Sequence, residues 1–155
     1  MYTDCEVKNL DRISIGKEIT MLARQIRLLR GRYLEEAGCI VGQAQFHALM
    51  YFARNEGSSE KQAAQAVGID KTLMTRAVKK LQHMGLLTVR RDSKDARYKR
   101  VWMTDAGKRE MVKVRAALAG ITDTLASGLN EQQIGVFLQT LEIMKNNIAD
   151  GLGQA

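Results

Sequence analysis

The stretch SEKQAAQAVGIDKTLMTRAVKKLQHMG, residues 59–85, decides the fold. Ser59 and Gln62 have capping-box spacing: the Ser59 hydroxyl accepts from the Gln62 amide, and the Gln62 side chain reaches back. A short alanine-rich helix follows through Ala63, Ala64, Ala66 and Val67 until Gly68 stops it. Asp70 then caps a second helix. Its expected buried face is Leu73, Ala77, Leu81 and Met84, with Met74 also turned inward, and Gly85 ends it. The opposite face carries Thr72, Thr75, Arg76, Lys79 and His83. Two helices with a small residue, Ala64, where they meet and a glycine four positions later at the turn predict a helix-turn-helix. In that motif the outer side chains of the second helix reach base edges and phosphates in a major groove. The start of that helix also offers backbone amides to a phosphate.

Downstream, Leu87–Arg91 and Lys99–Met103 read as two strands, with Val89, Val101 and Met103 pointing inward by alternation. The charged run Asp92 to Arg97 between them is the hairpin tip. Upstream, Ile15, Ile19, Leu22, Ile26, Leu29 and Tyr33 step by four and three along one helical stripe, which Gly38 closes. A further helix is expected over Gln43 to Arg54. After the hairpin, Thr104 caps a long helix with Met111, Val114, Leu118, Ile121 and Leu125 in one stripe, broken at Ser127-Gly128. A last helix starts near Asn130 with Ile134, Phe137, Leu138, Leu141, Met144 and Ile148 on one face. The fold class is mainly α with a small β-hairpin wing.

The charge follows the same map. The 155 residues carry a formal net charge of +7. Residues 70–115 hold fourteen Lys or Arg and five Asp or Glu, a local net of +9, while the remainder nets −2. A basic block in a near-neutral chain is either a solvated face or the footprint of a polyanion. Its coincidence with a helix-turn-helix and a hairpin favours nucleic acid, with Lys79, Lys80, Arg90 and the wing bases, Lys99 among them, on phosphates.

Composition supports this class. Hydrophobic residues at 45% supply a core, and the absence of proline with only 5% aromatics favours helices over a β-sandwich. No apolar run approaches the ~20 residues that cross a bilayer. Met1 to Asp11 has no apolar signal-peptide region, so a cytoplasmic protein is expected. Neither a phosphate-cradling glycine loop nor a nucleophile elbow nor a paired-carboxylate motif occurs, so no enzyme and no cofactor is expected.

The stretch Asp95-Ala96-Arg97-Tyr98-Lys99-Arg100-Val101-Trp102-Met103-Thr104-Asp105-Ala106-Gly107 resembles the wing signature of the MarR family of transcription regulators: Asp-x-Arg, a strand, then Leu-Thr-x-x-Gly. Met103 stands where that pattern has Leu. The hairpin tip, often Asp-Pro-x-Asp in the family, is Asp92-Ser93-Lys94-Asp95 here. Leu81 to Leu87 is similar to the family's Leu-x-x-x-Gly-Leu stretch. The resemblance implies a single domain over 1–155: dimerisation helices at about 10–38 and 110–150, and a winged helix-turn-helix at about 42–109. It implies a homodimer on a pseudo-palindromic operator of double-stranded DNA, more often as a ligand- or stress-responsive repressor, with small aromatic or phenolic molecules as the typical effectors. By position, Arg97 resembles the arginine that enters the minor groove, and Asp95 the acid that orients it. Lys71, Thr72, Thr75 and Arg76 match positions facing the major groove.

Dimerisation also has a case from the residues alone. Ile15, Ile19 and Ile26 near one end, and Phe137, Leu141, Met144 and Ile148 near the other, form apolar stripes that a partner or the chain's own core would cover. The competing functional classes are a winged-helix protein-interaction module and a nonspecific architectural DNA-binding protein. Two histidines, His47 and His83, without a cysteine pair do not make a structural zinc site. Cys5 and Cys39 raise oxidation sensing, known in some members of the family, which needs a thiol of depressed pKa. Trp102 is expected to pack on a neighbouring element.

Overall fold

The computed structural model describes residues 14–92, 95 and 97–153. In order these form α1 (Ser14–Glu36), α2 (Gln43–Phe52), α3 (Glu60–Val67), α4 (Lys71–His83), β1 (Leu87–Arg91), β2 (Lys99–Met103), α5 (Asp105–Ala126) and α6 (Glu131–Gly151). Packing divides the chain into two compact units, with the boundary after Ile121 inside α5.

The first unit holds one hydrophobic core. Leu34 and Val41 meet Phe46, Leu49 and Phe52 of α2, Ala63 and Ala64 of α3, and Met74, Ala77, Val78 and Leu81 of α4. Leu87, Val101 and Met103 of the hairpin and Met111, Val114 and Ala117 of α5 complete it. The small Ala63 and Ala64, both buried, let α3 approach its neighbours closely.

The punctuation of this unit is local chemistry. The Ser59–Gln62 capping box forms in both directions: the Gln62 amide donates to Ser59 Oγ at 3.2 Å, and the Ser59 amide donates to Gln62 Oε1 at 2.9 Å. Gly68 sits at φ 72°, a left-handed conformation that favours glycine. The amides of Gly68 and Ile69 then return to the carbonyls of Gln65 and Ala64, ending α3 and starting the turn. Asp70 Oδ1 accepts from the Thr72 amide at 2.7 Å, opening α4. Thr104 caps α5, its hydroxyl accepting from Gly107 N at 3.0 Å and donating to Gly85 O at 2.6 Å. A side chain at Gly107 would collide with the Leu86 carbonyl. The wing signature's terminal glycine is thus a close-approach site between α5 and the chain entering β1.

β1 and β2 pair antiparallel, with Leu87 opposite Met103 and Val89 opposite Val101. The free edge of β2 gains a third partner from the turn before α3. Gly57 N donates to Val101 O at 2.8 Å, and Val101 N to Ser58 O at 3.0 Å. Trp102 packs its indole against Gly57, as expected of a residue alternating away from the core.

Three details differ from the sequence reading. Leu73 is not on the buried face of α4; it is 54% exposed, and the buried positions are Met74, Ala77, Val78 and Leu81. The inward face is rotated by about one residue because Leu73 and Met74 are adjacent apolar choices some 100° apart on a helix. Helix α2 ends at Phe52, since the Arg54 and Asn55 amides turn back to Tyr51 O. Leu125 of the α5 stripe is 43% exposed.

In the second unit, α6 is capped by Asn130, whose side chain accepts from the Gln133 amide at 2.9 Å while Gln133 reaches back to Asn130 N. No residue of α6 is buried. Phe137 and Ile148 are exposed, and Leu141 and Met144 are half-buried. On α1, Ile15 and Ile19 are exposed and Ile26 is half-buried.

Candidate nucleic-acid interface

The side of α4 turned away from the core and the strands of the hairpin frame one open cleft of about 750 Å³. Six cations line it: Lys61 of α3, Lys71 and Lys79 of α4, Arg90 and Arg91 of β1, and Lys99 of β2. Glu60 and Thr75 also line it. The cleft therefore gathers Lys71, Thr75, Lys79, Arg90 and Lys99 of the expected site. Thr72 and Arg76 lie exposed on α4 outside its lining. Lys61 and Arg91 were not singled out from sequence. Lys61 lies upstream of the basic block, within a capping box whose local role hid its charge.

Thr75 differs from its neighbours on α4. Its hydroxyl donates to Glu60 Oε2 at 2.6 Å, while Thr72, Arg76 and Lys79 stand exposed. The hydrogen bonds that Asp70 accepts from the Thr72 side chain and amide hold its carboxyl below the ordinary range. The cap of α4 is therefore ionised at neutral pH.

The wing carries two arginine–aspartate pairs of different kinds. Arg100 Nε donates to Asp92 Oδ2 at 2.7 Å, and both side chains are largely covered. Asp92 N donates to Tyr98 O at 2.9 Å, continuing the ladder one step past Arg91 and Lys99 toward the tip. This pair braces the hairpin near a tip that lacks the family's frequent proline; Ser93, Lys94 and Ala96 lie outside the described residues. Arg97, whose side chain is 87% exposed, instead wraps its own neighbour. Its Nη2 reaches Asp95 Oδ2 at 2.8 Å, its Nε reaches Oδ1 at 3.0 Å, and its amide donates to Oδ1 at 3.0 Å. Those contacts lower the Asp95 pKa and raise that of Arg97. The carboxylate thus aims a guanidinium outward, leaving Nη1 for another acceptor.

Behind the helix-turn-helix, Glu110 is buried at 4% exposure. Its Oε1 accepts from the amides of Ile40, at 2.6 Å, and Val41, at 3.2 Å, and Lys113 Nζ stands 3.5 Å from Oε2. The adjacent Cys39 thiol is pushed above its ordinary pKa by burial first and by Glu110 second, against a smaller opposing effect of Lys113. That direction is opposite to the depressed pKa that a sensing thiolate needs. Cys5 lies outside the described residues. A cavity of about 250 Å³ borders Leu34, Cys39, Ile40 and Val41. Nearby, the Arg30 guanidinium lies 4.6 Å over the Phe46 ring, and burial lowers its pKa. His83 is exposed on α4. Among the described residues, no group of three or more His, Cys, Asp or Glu is placed to hold a metal. Nor is any helix among them long and apolar enough to cross a membrane.

Known proteins share this arrangement. The MarR family model matches residues 41–97, the span from Val41, just before α2, to the wing arginine. A MarR transcriptional regulator from Methanosarcina mazei Go1 superposes with a TM-score of 0.78 at 30% identity, covering 93% of this chain and 100% of that one. The chain belongs to the MarR family. Its members are transcriptional regulators with a DNA-binding winged helix, and so is this protein. The HTH-type transcriptional regulator YybA of Bacillus subtilis (strain 168) is 24% identical over 134 residues, 86% of this chain and 88% of YybA. The transcriptional repressor CouR bound to a 23-mer DNA duplex has the same fold, with a TM-score of 0.77 at 18% identity over 94% of this chain and 99% of CouR. CouR from Rhodococcus jostii RHA1 has also been solved with p-coumaroyl-CoA, at a TM-score of 0.72, 19% identity, 84% of this chain and 90% of that one.

Proposed function

We propose that this MarR-family regulator acts as a homodimeric, ligand-responsive repressor on a pseudo-palindromic operator. The observation that carries the DNA-binding site is the cleft in which α3, α4 and both wing strands converge six cations on one surface. Lys71, Lys79, Arg90 and Lys99 would neutralise phosphates on either side of a groove holding α4. Thr72, Thr75 and Arg76 would face base edges, and Arg97, aimed by Asp95, would reach the adjacent minor groove. In support, CouR binds a DNA duplex with this fold.

The dimer rests on the apolar side chains left uncovered at the chain's ends. Ile15, Ile19 and Ile26 on α1, and Phe137, Leu141, Met144 and Ile148 on α6, would be buried by a second copy, at about 25 cal/mol per Å² of apolar surface covered. Two recognition helices about one DNA turn apart, roughly 34 Å, would then match a two-fold operator. An effector would act by favouring one spacing of those helices over another. p-Coumaroyl-CoA on CouR supports an aromatic or phenolic class.

A gel shift on the DNA upstream of the protein's own gene, against random competitor, tests the reading. Retardation that specific DNA competes away better than random DNA supports it. Equal competition would instead make the protein a nonspecific architectural binder, and no retardation a protein-interaction module.

A further inference from the structure

On the outer face of α4 Arg76 and Lys79 stand exposed, whereas the Thr75 hydroxyl is committed to a carboxylate on the neighbouring helix. A threonine hydroxyl has one hydrogen to donate and two lone pairs to accept with. Here the hydrogen goes to Glu60 Oε2 at 2.6 Å, a length typical of a charge-assisted O–H···O⁻ bond. An ionised carboxylate only accepts, so the direction of the bond is settled by chemistry. Thr75 is Glu60's one side-chain hydrogen-bond partner among the described residues, and both side chains line the cleft beside Lys61, Lys71 and Lys79. To donate to a base, Thr75 would have to exchange a bond to a carboxylate for a weaker one to a neutral acceptor and strand Glu60 against the DNA.

We propose that Glu60 and Thr75 form an acceptor-only reading pair, which selects a base presenting an exocyclic amino group in the major groove, adenine or cytosine, and rejects guanine and thymine. This rests on α4 being the recognition helix of a sequence-specific DNA-binding protein. In the major groove adenine offers N6–H₂ beside its N7 acceptor and cytosine offers N4–H₂, whereas guanine offers only the acceptors O6 and N7, and thymine only the acceptor O4 beside its methyl group. The lone pairs of Thr75 Oγ1 and the free Glu60 oxygen match the first pair and repel the second. The surrounding lysines neutralise the phosphates that a carboxylate would otherwise face, so a lone acid is tolerated within a cationic cleft.

The test is selection of bound duplexes from a randomised library by the full chain, in parallel with Thr75→Val, Thr75→Ser and Glu60→Gln. The wild type is expected to enrich adenine or cytosine about tenfold at one position per half-site. Thr75→Ser keeps that preference. Thr75→Val levels it, and Glu60→Gln lowers the share of cytosine in favour of adenine, because the amide both donates and accepts and so suits N7 beside N6–H₂. All other positions keep their preferences, which also shows that the variants fold. A second readout replaces the selected base with its analogue lacking the amino group. Wild-type binding should fall about tenfold while Thr75→Val binding is unchanged. A motif unaltered by both Thr75→Val and Glu60→Gln would overturn the pair, as would an analogue that costs wild-type protein nothing. A wild type that enriches no sequence at all would instead overturn the DNA-reading function beneath it, and the pair with it.

Discussion

Helices α4 and α6 are both amphipathic, and the fold treats them in opposite ways. On α4 the apolar side is fully seated: Met74, Val78 and Leu81 have no exposed surface, and the polar side is left outward. On α6 no residue is buried, and Phe137, Leu138 and Ile148 are each more than half exposed. A stripe that is apolar but uncovered reflects a different demand from one that packs the core. Helix α4 turns its polar side outward, whereas α6 leaves apolar side chains uncovered.

The sharpest way to break this contrast is to make the uncovered side polar. Leu141→Glu and Ile26→Glu, made separately, are expected to yield monomers by light scattering. Each removes about 1.5–3 kcal/mol of burial per protomer and sets carboxylates in an apolar seam. A stable dimer in both variants would refute the proposed interface.

The next largest effect belongs to the seated region. Glu110→Ala should lower the urea midpoint, since each amide of Ile40 and Val41 left bare in the interior costs about 1–3 kcal/mol. An unchanged midpoint would show that this carboxylate does not hold the loop between α1 and α2.

Arg97→Ala removes the outward guanidinium without touching the core, and should weaken operator binding by about 1–3 kcal/mol with little change in melting. Unaltered affinity at physiological salt would count against the wing assignment.

The smallest effect is set by pH. Burial first, and Arg30 second, lower the pKa of His47, so the fold favours the neutral ring. That contribution is full above the unfolded value near 6.5. It is lost as pH falls, because the unfolded chain takes up its proton first. Melting temperature should therefore drop between about pH 7.5 and 5.5, and less steeply in His47→Gln.

Much of this was legible in the chain. Both strands lie where alternation put them, and the capping residues Ser59, Asp70, Thr104 and Asn130 act as their spacing implied, because capping involves neighbours two or three positions away. What escaped is non-local. Glu110 looked like one acid in a basic block, since its acceptor role depends on amides about seventy positions upstream. Burial first, and the same fold-made neighbour second, push the Cys39 thiol up. Glu60 looked like a residue inside a capping box until folding set it against Thr75, fifteen positions on. Leu73 was misplaced for a different reason: two adjacent apolar residues leave the phase of a helix open until its neighbours pack.

The central claim is that the cationic cleft binds the phosphates of a duplex. The direct measurement is operator affinity across a salt series. The account predicts that log K falls linearly with log salt, by about 0.9 for each phosphate neutralised, and that Lys79→Ala reduces the slope by about one. Affinity that does not change with salt would contradict it.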